Sequence, residues 1–407
     1  MKSIQRRTKI AGVVGVVFVA AAVLWWAVAV PKLVKYPTDL DASPHYAGTF
    51  TVYVDPATTA PLATPLDLPL TVDRHIQAVG AQSGANRVVV DETITQHAGS
   101  LVNTTQHNVY VMDRSTLQNV ADPRAYAFDP ANVVDRSGAY RLNLPFDTST
   151  TSTYTIYKNE IAGTYVMRGD LTEPTTHEAG LDLQRFQTSV VDAPLSPAYL
   201  KELGKSVSLP SSLTLDQLKP QLKTMGVDVD ALLAAMTPYL TPDDLATLTQ
   251  IAARPIGLQY LLSFGGNVAV EPTTGAEVDV AVTESIGARP VMPDLPALQT
   301  ILTHYPNVPE AAAAGQALAK LGTAPPVKLF SYHYQQTPAS VADIAHQVSS
   351  MRNQVRLAKV YVPIGLSIVA LLCFGFAAAT FLLHRRVPLD VRHEPHALEH
   401  IPERERV

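Results

Sequence analysis

The chain has 407 residues, of which 16% are charged, and its formal net charge at pH 7 is −5. Soluble proteins carry about 25% charged residues, and two long apolar segments account for part of this deficit. The absence of a basic face excludes a nucleic-acid-binding protein. The single cysteine, Cys373, excludes an intramolecular disulfide and favours a bacterial envelope protein over a eukaryotic secreted domain.

The first apolar segment predicts a membrane helix near the start of the chain. Residues 10–30 carry no charge and follow four Lys and Arg residues, and about 20 apolar residues cross a bilayer core as a helix. A cleaved signal peptide is the alternative, because Ala27-Val28-Ala29 has the small-residue pattern of a cleavage site. The segment exceeds the usual apolar region of a signal peptide, which favours an uncleaved anchor.

The part from about 46 to 190 is predicted to form strands. Apolar and polar residues alternate in stretches rich in β-branched and aromatic residues, which is typical of half-buried strands. Segment 55–69 holds four prolines and is predicted to be a loop. The predicted strands are 48–54, 87–95, 108–112, 140–146, 153–157 and 163–168, and together they indicate an antiparallel sheet or a partial barrel.

Helical spacing replaces this alternation from about 195 to 254. Thr241 and Pro242 mark one helix start, with a hydroxyl at the N-cap and a proline in the first turn. The fold class is therefore predicted to be α+β, a β-rich external domain with helical insertions. The further predicted elements are helices 213–225, 229–240, 296–304 and 309–321 and strands 258–264, 267–271, 276–283 and 327–334.

A long helix is predicted at the C-terminal end of this domain. Thr337 supplies an N-cap, and apolar residues then recur at spacings of three and four along 338–359, which predicts an amphipathic helix. Polar residues nearly vanish over 360–383, so the helix is predicted to continue as a second membrane span. Pro363 is expected to remove a backbone hydrogen bond and permit a kink.

Lys and Arg residues flank both apolar segments on the sides nearer the chain ends, so the positive-inside rule places both termini in the cytoplasm. Arg352, Arg356 and Lys359 on the opposite side of the second span weaken this signal. The predicted location is the plasma membrane, with residues 31–359 extracytoplasmic. The predicted segments are 1–9 (cytoplasmic), 10–30 (first span), 31–337 (external domain, helical insertion at about 195–254), 338–359 (amphipathic helix), 360–383 (second span) and 384–407 (disordered cytoplasmic tail).

No catalytic constellation is found, so we expect no enzymatic activity, no cofactor and no metal site. Residues 396–400 follow the H-x-x-E-H order of a zinc peptidase family, but they lie between two prolines in the charged tail. That chemistry needs a rigid helix and a further ligand. Residues 80–84 lack the central serine of a nucleophile elbow.

Three short stretches carry a family resemblance, and they are Asp113-Arg114-Ser115-Thr116, Leu144-Pro145-Phe146-Asp147 followed by Thr153-Tyr154, and Val270-Glu271-Pro272-Thr273-Thr274-Gly275. With the two end spans, they make the chain similar to the actinobacterial porin PorA family of two-span envelope proteins, which includes a mycobacterial polar growth factor. The resemblance implies a mycolate-type envelope. For the growth-factor branch it also implies trehalose monomycolate transport beside an RND-type exporter.

Two functions are compatible with these features. The first is binding or handing on of a cell-envelope lipid of the trehalose monomycolate type, with an RND-type exporter or growth machinery as a partner of the spans. The second is a ligand-free scaffold or accessory subunit of a transporter. An oligomeric channel is less favoured, because two uncharged helices cannot enclose a water-filled pore in one chain.

An apolar cavity in the external domain would favour lipid binding, whereas a solid core would favour the scaffold. Strand alternation defines two faces of each strand without showing which face is dry. The residues predicted to face a cavity are Val52, Val54, Val109, Val111, Tyr154 and Ile156.

Overall fold

The chain divides into two compact units in the computed structural model. One unit comprises the terminal segments Met1–Val34 and Arg356–Val407, and the other is the domain Lys35–Val355. Apart from its first two residues, the predicted tail 384–407 lies outside the described part of the chain, as does the motif at 396–400. The structure describes residues 2–55, 60–207, 209–224, 228–292, 294–321 and 325–385.

Helices and strands alternate irregularly along the described residues. The helices are α1 Lys2–Leu24, α2 Val30–Leu33, α3 Pro197–Leu203, α4 Leu215–Thr224, α5 Val229–Met236, α6 Pro242–Ala253, α7 Leu295–Thr303, α8 Pro309–Leu321, α9 Pro338–Arg356 and α10 Val362–Arg385. The strands are β1 Asp41–Ala42, β2 His45–Val54, β3 Pro61–Ala78, β4 Arg87–Ala98, β5 Val102–Asp113, β6 Tyr126–Ala127, β7 Asp129–Val133, β8 Thr153–Lys158, β9 Gly163–Gly169, β10 Thr175–Glu178, β11 Leu181–Pro194, β12 Ser212–Leu213, β13 Ile256–Glu271, β14 Ala276–Val291 and β15 Val327–Gln336.

The terminal unit contains two apolar helices, α1 and α10. They belong to helical segments, Arg6–Leu33 and Pro338–Leu383, that are long and apolar enough to cross a membrane. Only 11% and 6% of their most apolar windows are buried, whereas the core helix of a soluble protein is mostly buried. The prediction of candidate spans at both ends of the domain is confirmed.

The helices α1 and α10 pack side by side and run in opposite directions. Thr8 Oγ1 lies 2.8 Å from Thr380 Oγ1, and Trp25 Nε1 donates a hydrogen bond of 2.9 Å to the Ala358 carbonyl. Gly15 faces the Phe374 ring so closely that a Cβ there would lie 3.0 Å from ring carbons. A small residue thus permits the close approach of the two helices.

Both helical segments widen into a π turn ahead of a proline. Pro31 and Pro363 carry no N–H group, so neither can donate the usual bond to the carbonyl four residues earlier. The preceding residues, Val30 and Val362, donate to carbonyls five residues back. The disturbance predicted at Pro363 therefore takes the form of a π turn.

Gly15→Leu is expected to separate α1 from α10, because its side chain would collide with the Phe374 ring. Cysteines replacing Thr8 and Thr380, in a background without the native cysteine, should form a disulfide that a gel-shift assay detects. Gly15→Leu should lower the disulfide yield severalfold. Gly12→Leu is the matched control, because no atom lies within 4 Å of a Cβ at that position. Equal yields in the two variants would contradict this packing.

The described residues of the domain Lys35–Val355 form one curled antiparallel sheet of 15 strands, a half-barrel. Its main path runs β7-β6-β5-β4-β3-β2-β15-β14-β13-β11-β9-β8. The last strand, β15, pairs with β2 on one side and β14 on the other, so the two ends of the domain are joined in the middle of the sheet. This architecture confirms the predicted α+β class.

The predicted loop 55–69 is wrong over most of its length, because β3 begins at Pro61. From Pro61 to Pro69 this strand pairs with β2 alone, and pairing with β4 starts only at Thr71. Prolines are tolerated in a strand with one free edge, where no ladder bond is lost. The strand predicted at 140–146 is also wrong, since it forms two isolated bridges, at Tyr140 and Asn143.

The main hydrophobic core combines the sheet with α3. It includes Phe50 on β2, Leu70 on β3, Tyr199 on α3, Leu262 on β13 and Phe330 on β15, all 5% exposed or less. Helices α4 to α8 share two smaller clusters of buried apolar residues. These helices therefore pack on one another and, through Ile256 and Leu258, on β13.

The helix starts predicted at Thr241 and Thr337 are confirmed by N-cap hydrogen bonds. Thr241 Oγ1 accepts from the Asp244 N–H at 3.1 Å, and Thr337 Oγ1 accepts from the Ser340 N–H at 3.3 Å.

The apolar stripe of α9 packs on the sheet of its own domain. Its buried residues Ala345 and Val348 contact a cluster that contains Leu181, Leu183 and Val278.

Candidate binding cavities

A first cavity, of 160 Å³, lies where one end of the main core meets α4. Its walls include Val52 on β2, Leu258 on β13, Ala288 on β14 and Leu218 on α4. Tyr260 presents its ring to the cavity, while its hydroxyl donates to the Pro210 carbonyl at 2.6 Å. The cavity therefore offers an almost wholly apolar surface.

A second cavity, of 210 Å³, lies among the helices α4 to α8. Leu232 on α5, Leu248 on α6 and Leu298 on α7 represent its leucine-rich lining. Arg254 and Asp294 are the charged lining residues, and they pair with each other at 3.0 Å. The remaining lining side chains described are apolar.

The two cavities follow one another along the same strand. Ile256 lines the second cavity, and Leu258 and Tyr260, further along β13, line the first. Leu222 on α4 lines both. Both linings are mainly apolar, so the two cavities together form a candidate site for an apolar ligand.

Two of the six predicted cavity residues, Val52 and Val54, line the first cavity. Ligand contact by any of the six stays a prediction. The other four line neither cavity and pack in two other buried clusters, Val109 and Val111 in one and Tyr154 and Ile156 in the other.

The lining residues on α4 were missed, although the sequence carries a signal for them. Leu215, Leu218 and Leu222 recur at spacings of three and four, which places them on one helical face. Pro220 obscured this pattern because an internal proline argues against a regular helix. The leucine face contributes to both cavities.

A fully buried carboxylate, Glu92, lies on β4. Arg74 Nε donates to it at 2.6 Å, Tyr110 Oη at 2.7 Å and Asn108 Nδ2 at 3.0 Å. Burial alone would raise the pKa of Glu92, but the charges of Arg74 and Arg141 and the hydrogen bonds outweigh it and lower the pKa to about 2. Glu92 is therefore ionised and accepts hydrogen bonds from three side chains, which indicates a structural role for this carboxylate.

A second buried pair connects distant strands. Lys158 Nζ lies 2.8 Å from Glu284 and 3.5 Å from Glu160, and it also sits 4.4 Å above the centre of the Phe264 ring. Burial would lower the pKa of Lys158, but the two carboxylates raise it above its usual value. Since three strands separate β8 from β14, this pair links the sheet across its curl.

Glu277→Gln is expected to increase the free energy of unfolding at pH 8 by about 0.5–2 kcal/mol, the usual gain from optimising one charge. Burial raises the pKa of Glu277, despite the opposing charge of Arg74. The folded state therefore favours the protonated form, and this stabilisation is lost as pH rises through the raised pKa. Circular dichroism melting should show a gain at pH 8 that disappears near pH 4, and a gain independent of pH would contradict this assignment.

A curled β-rich domain flanked in sequence by two apolar helices, each long enough to cross a membrane, fits a membrane protein. No metal-binding cluster occurs among the described residues. The chain matches the family described as Porin PorA over residues 10–379. It therefore belongs to the PorA family, as the sequence resemblance predicted. No curated protein matches the chain.

Proposed function

We propose that the domain Lys35–Val355 is a non-enzymatic binding domain that takes the alkyl chain of a cell-envelope lipid into its two apolar cavities. The observation that carries this proposal is the pair of apolar cavities in series. Apolar side chains that line an open pocket stay in contact with water, at a cost of about 25 cal/mol per Å² of apolar surface. Occupation by a chain removes much of that cost.

The proposed cargo has a long hydrocarbon tail. Trehalose monomycolate, which the family resemblance implies, meets this requirement. Because the lining is apolar, the tail would provide most of the binding energy, about 0.8 kcal/mol for each buried methylene group. The domain would hold or hand on this lipid during envelope transport or polar growth.

In this proposal α1 and α10 cross the plasma membrane as a pair. Their antiparallel packing puts the start of α1 and the end of α10 at the same end of the pair, which supports termini on one side. The Lys and Arg residues near the chain ends favour the cytoplasm for that side. Exposed apolar faces of the pair would contact bilayer lipid or an RND-type exporter.

A scaffold without ligand is supported less well. A scaffold needs a free surface for its partner, and the apolar stripe of α9 is covered by Leu181, Leu183 and Val278 of the same domain. The family name favours a channel as the second candidate. Strands that cross a membrane form closed barrels, whereas the described sheet path ends at β7 and β8 without joining them. Planar-bilayer conductance by the purified chain would favour the channel.

Native mass spectrometry of the full-length protein, purified from an actinobacterial host, tests lipid binding. We expect a stoichiometric long-chain lipid that survives activation sufficient to strip lipids from the spans. Extraction would then identify the head group. Recovery of protein without lipid, together with no uptake of added trehalose monomycolate, would contradict the proposal.

A further inference from the structure

One leucine side chain on α4 belongs to the linings of both cavities. Leu222 is 5% exposed and lines both cavities. On the same helix, Leu218 lines the first cavity and Leu215 lines the second. All three belong to one apolar cluster with Leu258 and Leu298. These residues are all apolar, so an alkyl chain that passes Leu222 would meet no polar side chain among them.

The helix that carries Leu222 is well anchored at its start and weaker near its end. Thr214 and Gln217 form a reciprocal capping box, with bonds of 2.9 and 3.3 Å. Pro220 lies inside the helix and has no N–H to donate to the Asp216 carbonyl. Leu222 follows this weak point by two residues, so the turn that carries it can shift more easily than the capped start.

We propose that Leu222 determines the length of alkyl chain that the site accepts. A short chain occupies one chamber, and a long chain displaces the Leu222 side chain and enters both. The occupant is a single linear alkyl chain, because the chambers are apolar and lie in series along β13. This inference rests on the proposed lipid binding and adds a specificity-determining residue to it.

The distance along β13 supports a chain that extends through both chambers. Ile256, in the second chamber, is four residues from Tyr260 in the first. At about 3.3 Å per residue, this separation is about 13 Å along the strand. A chain confined to one chamber leaves the other empty, whereas a longer chain buries additional methylene groups on the far side of Leu222.

The test uses full-length protein in nanodiscs, labelled by a palmitoyl probe that carries a photoreactive diazirine. Glycerol monopalmitate and glycerol monooctanoate compete for labelling of β13 peptides, and the ratio of their affinities is measured within each variant. Leu222→Ala should raise the palmitoyl preference by at least about tenfold, since every further buried methylene strengthens binding. Leu222→Trp should abolish that preference while octanoyl binding persists.

Leu245→Ala is the matched control, because Leu245 is 48% exposed and lines neither cavity. Its affinity ratio should equal that of the parent protein. Because both ligands are measured on the same variant, the ratio of their affinities does not depend on the fraction of protein that is unfolded. An unchanged ratio in both Leu222 variants would overturn the chain-length role and leave lipid binding intact. Failure of both glycerides to compete in the parent protein would instead overturn the proposed function.

Discussion

Replacing Glu92 by leucine is expected to lower the free energy of unfolding of the domain Lys35–Val355 by about 3–5 kcal/mol. The substitution leaves the buried guanidinium of Arg74 without its partner at 2.6 Å. It also deprives the hydroxyl of Tyr110 and the amide of Asn108 of their common acceptor, and buried donors without partners are costly. Urea unfolding of the full-length protein, followed by far-ultraviolet circular dichroism, measures the loss.

The double variant Arg74→Met, Glu92→Leu removes both charges of the pair at once. It therefore shows how much of the loss comes from leaving one buried charge unpaired. Replacing a buried ion pair by apolar residues of similar volume is often neutral, so the part of the loss that comes from the unpaired Arg74 guanidinium should return, while the donors of Tyr110 and Asn108 still lack their acceptor. The exposed pair of His177 and Asp182 supplies the comparison, because Asp182→Leu should cost less than about 1 kcal/mol. A double variant no more stable than Glu92→Leu alone would contradict the pairing energetics.

Ala288→Phe is expected to abolish lipid binding. Ala288 lines the first cavity, is 7% exposed, and lies between Tyr260 and Val327 in the sheet register. A phenyl ring at this position would occupy space that the alkyl chain needs. Overpacking costs about 1–3 kcal/mol, which the volume already free in this cavity should reduce. Native mass spectrometry should show a loss of retained lipid of more than tenfold, the effect of about 1.4 kcal/mol or more.

Ala47→Phe is the matched control for this substitution. Ala47 is an exposed residue of β2, whose side chain points away from the face that carries Val52 and Val54 because successive strand residues alternate. The control variant should retain lipid as the parent does. Lipid retained equally by Ala288→Phe would show that this cavity is not where the chain binds.

Features that depend only on residues close together in the sequence could be predicted. The apolar runs of α1 and α10, the N-caps at Thr241 and Thr337, and most strands follow from composition and spacing alone. The prolines of β3 wrongly predicted a loop. The sequence does not show that β3 pairs with only one strand between Pro61 and Pro69, where prolines are tolerated.

The cavities could not be predicted, because they join parts of the chain that are far apart. Val52, Leu222 and Ala288 meet at the first cavity, and no local pattern relates them. Val109 alternates along its strand as Val52 does, yet it packs beside Val89 and Ala125. Alternation along a strand therefore identifies its buried face, but it does not show whether that face lines a cavity or packs in a solid core.

The buried charges were equally hidden in the sequence. Lys158 and Glu284 are 126 positions apart, and they pair at 2.8 Å only because the sheet curls. This pair and the Arg74–Glu92 pair connect the sheet without filling the apolar cavities. Buried ion pairs thus link strands in one part of the domain, while the cavity linings in another part are mainly apolar.

The contact between a lipid tail and the protein can be measured directly by photo-crosslinking. Full-length protein in nanodiscs that contain a lipid with a diazirine in its tail would be irradiated, digested and analysed by mass spectrometry. Binding of an alkyl chain in the cavities predicts labels in α4 and β13 in addition to those in the segments Arg6–Leu33 and Pro338–Leu383, which serve as the internal standard for membrane contact. The α4 and β13 labels should disappear with Ala288→Phe. Labels confined to the two apolar segments would contradict binding in the cavities.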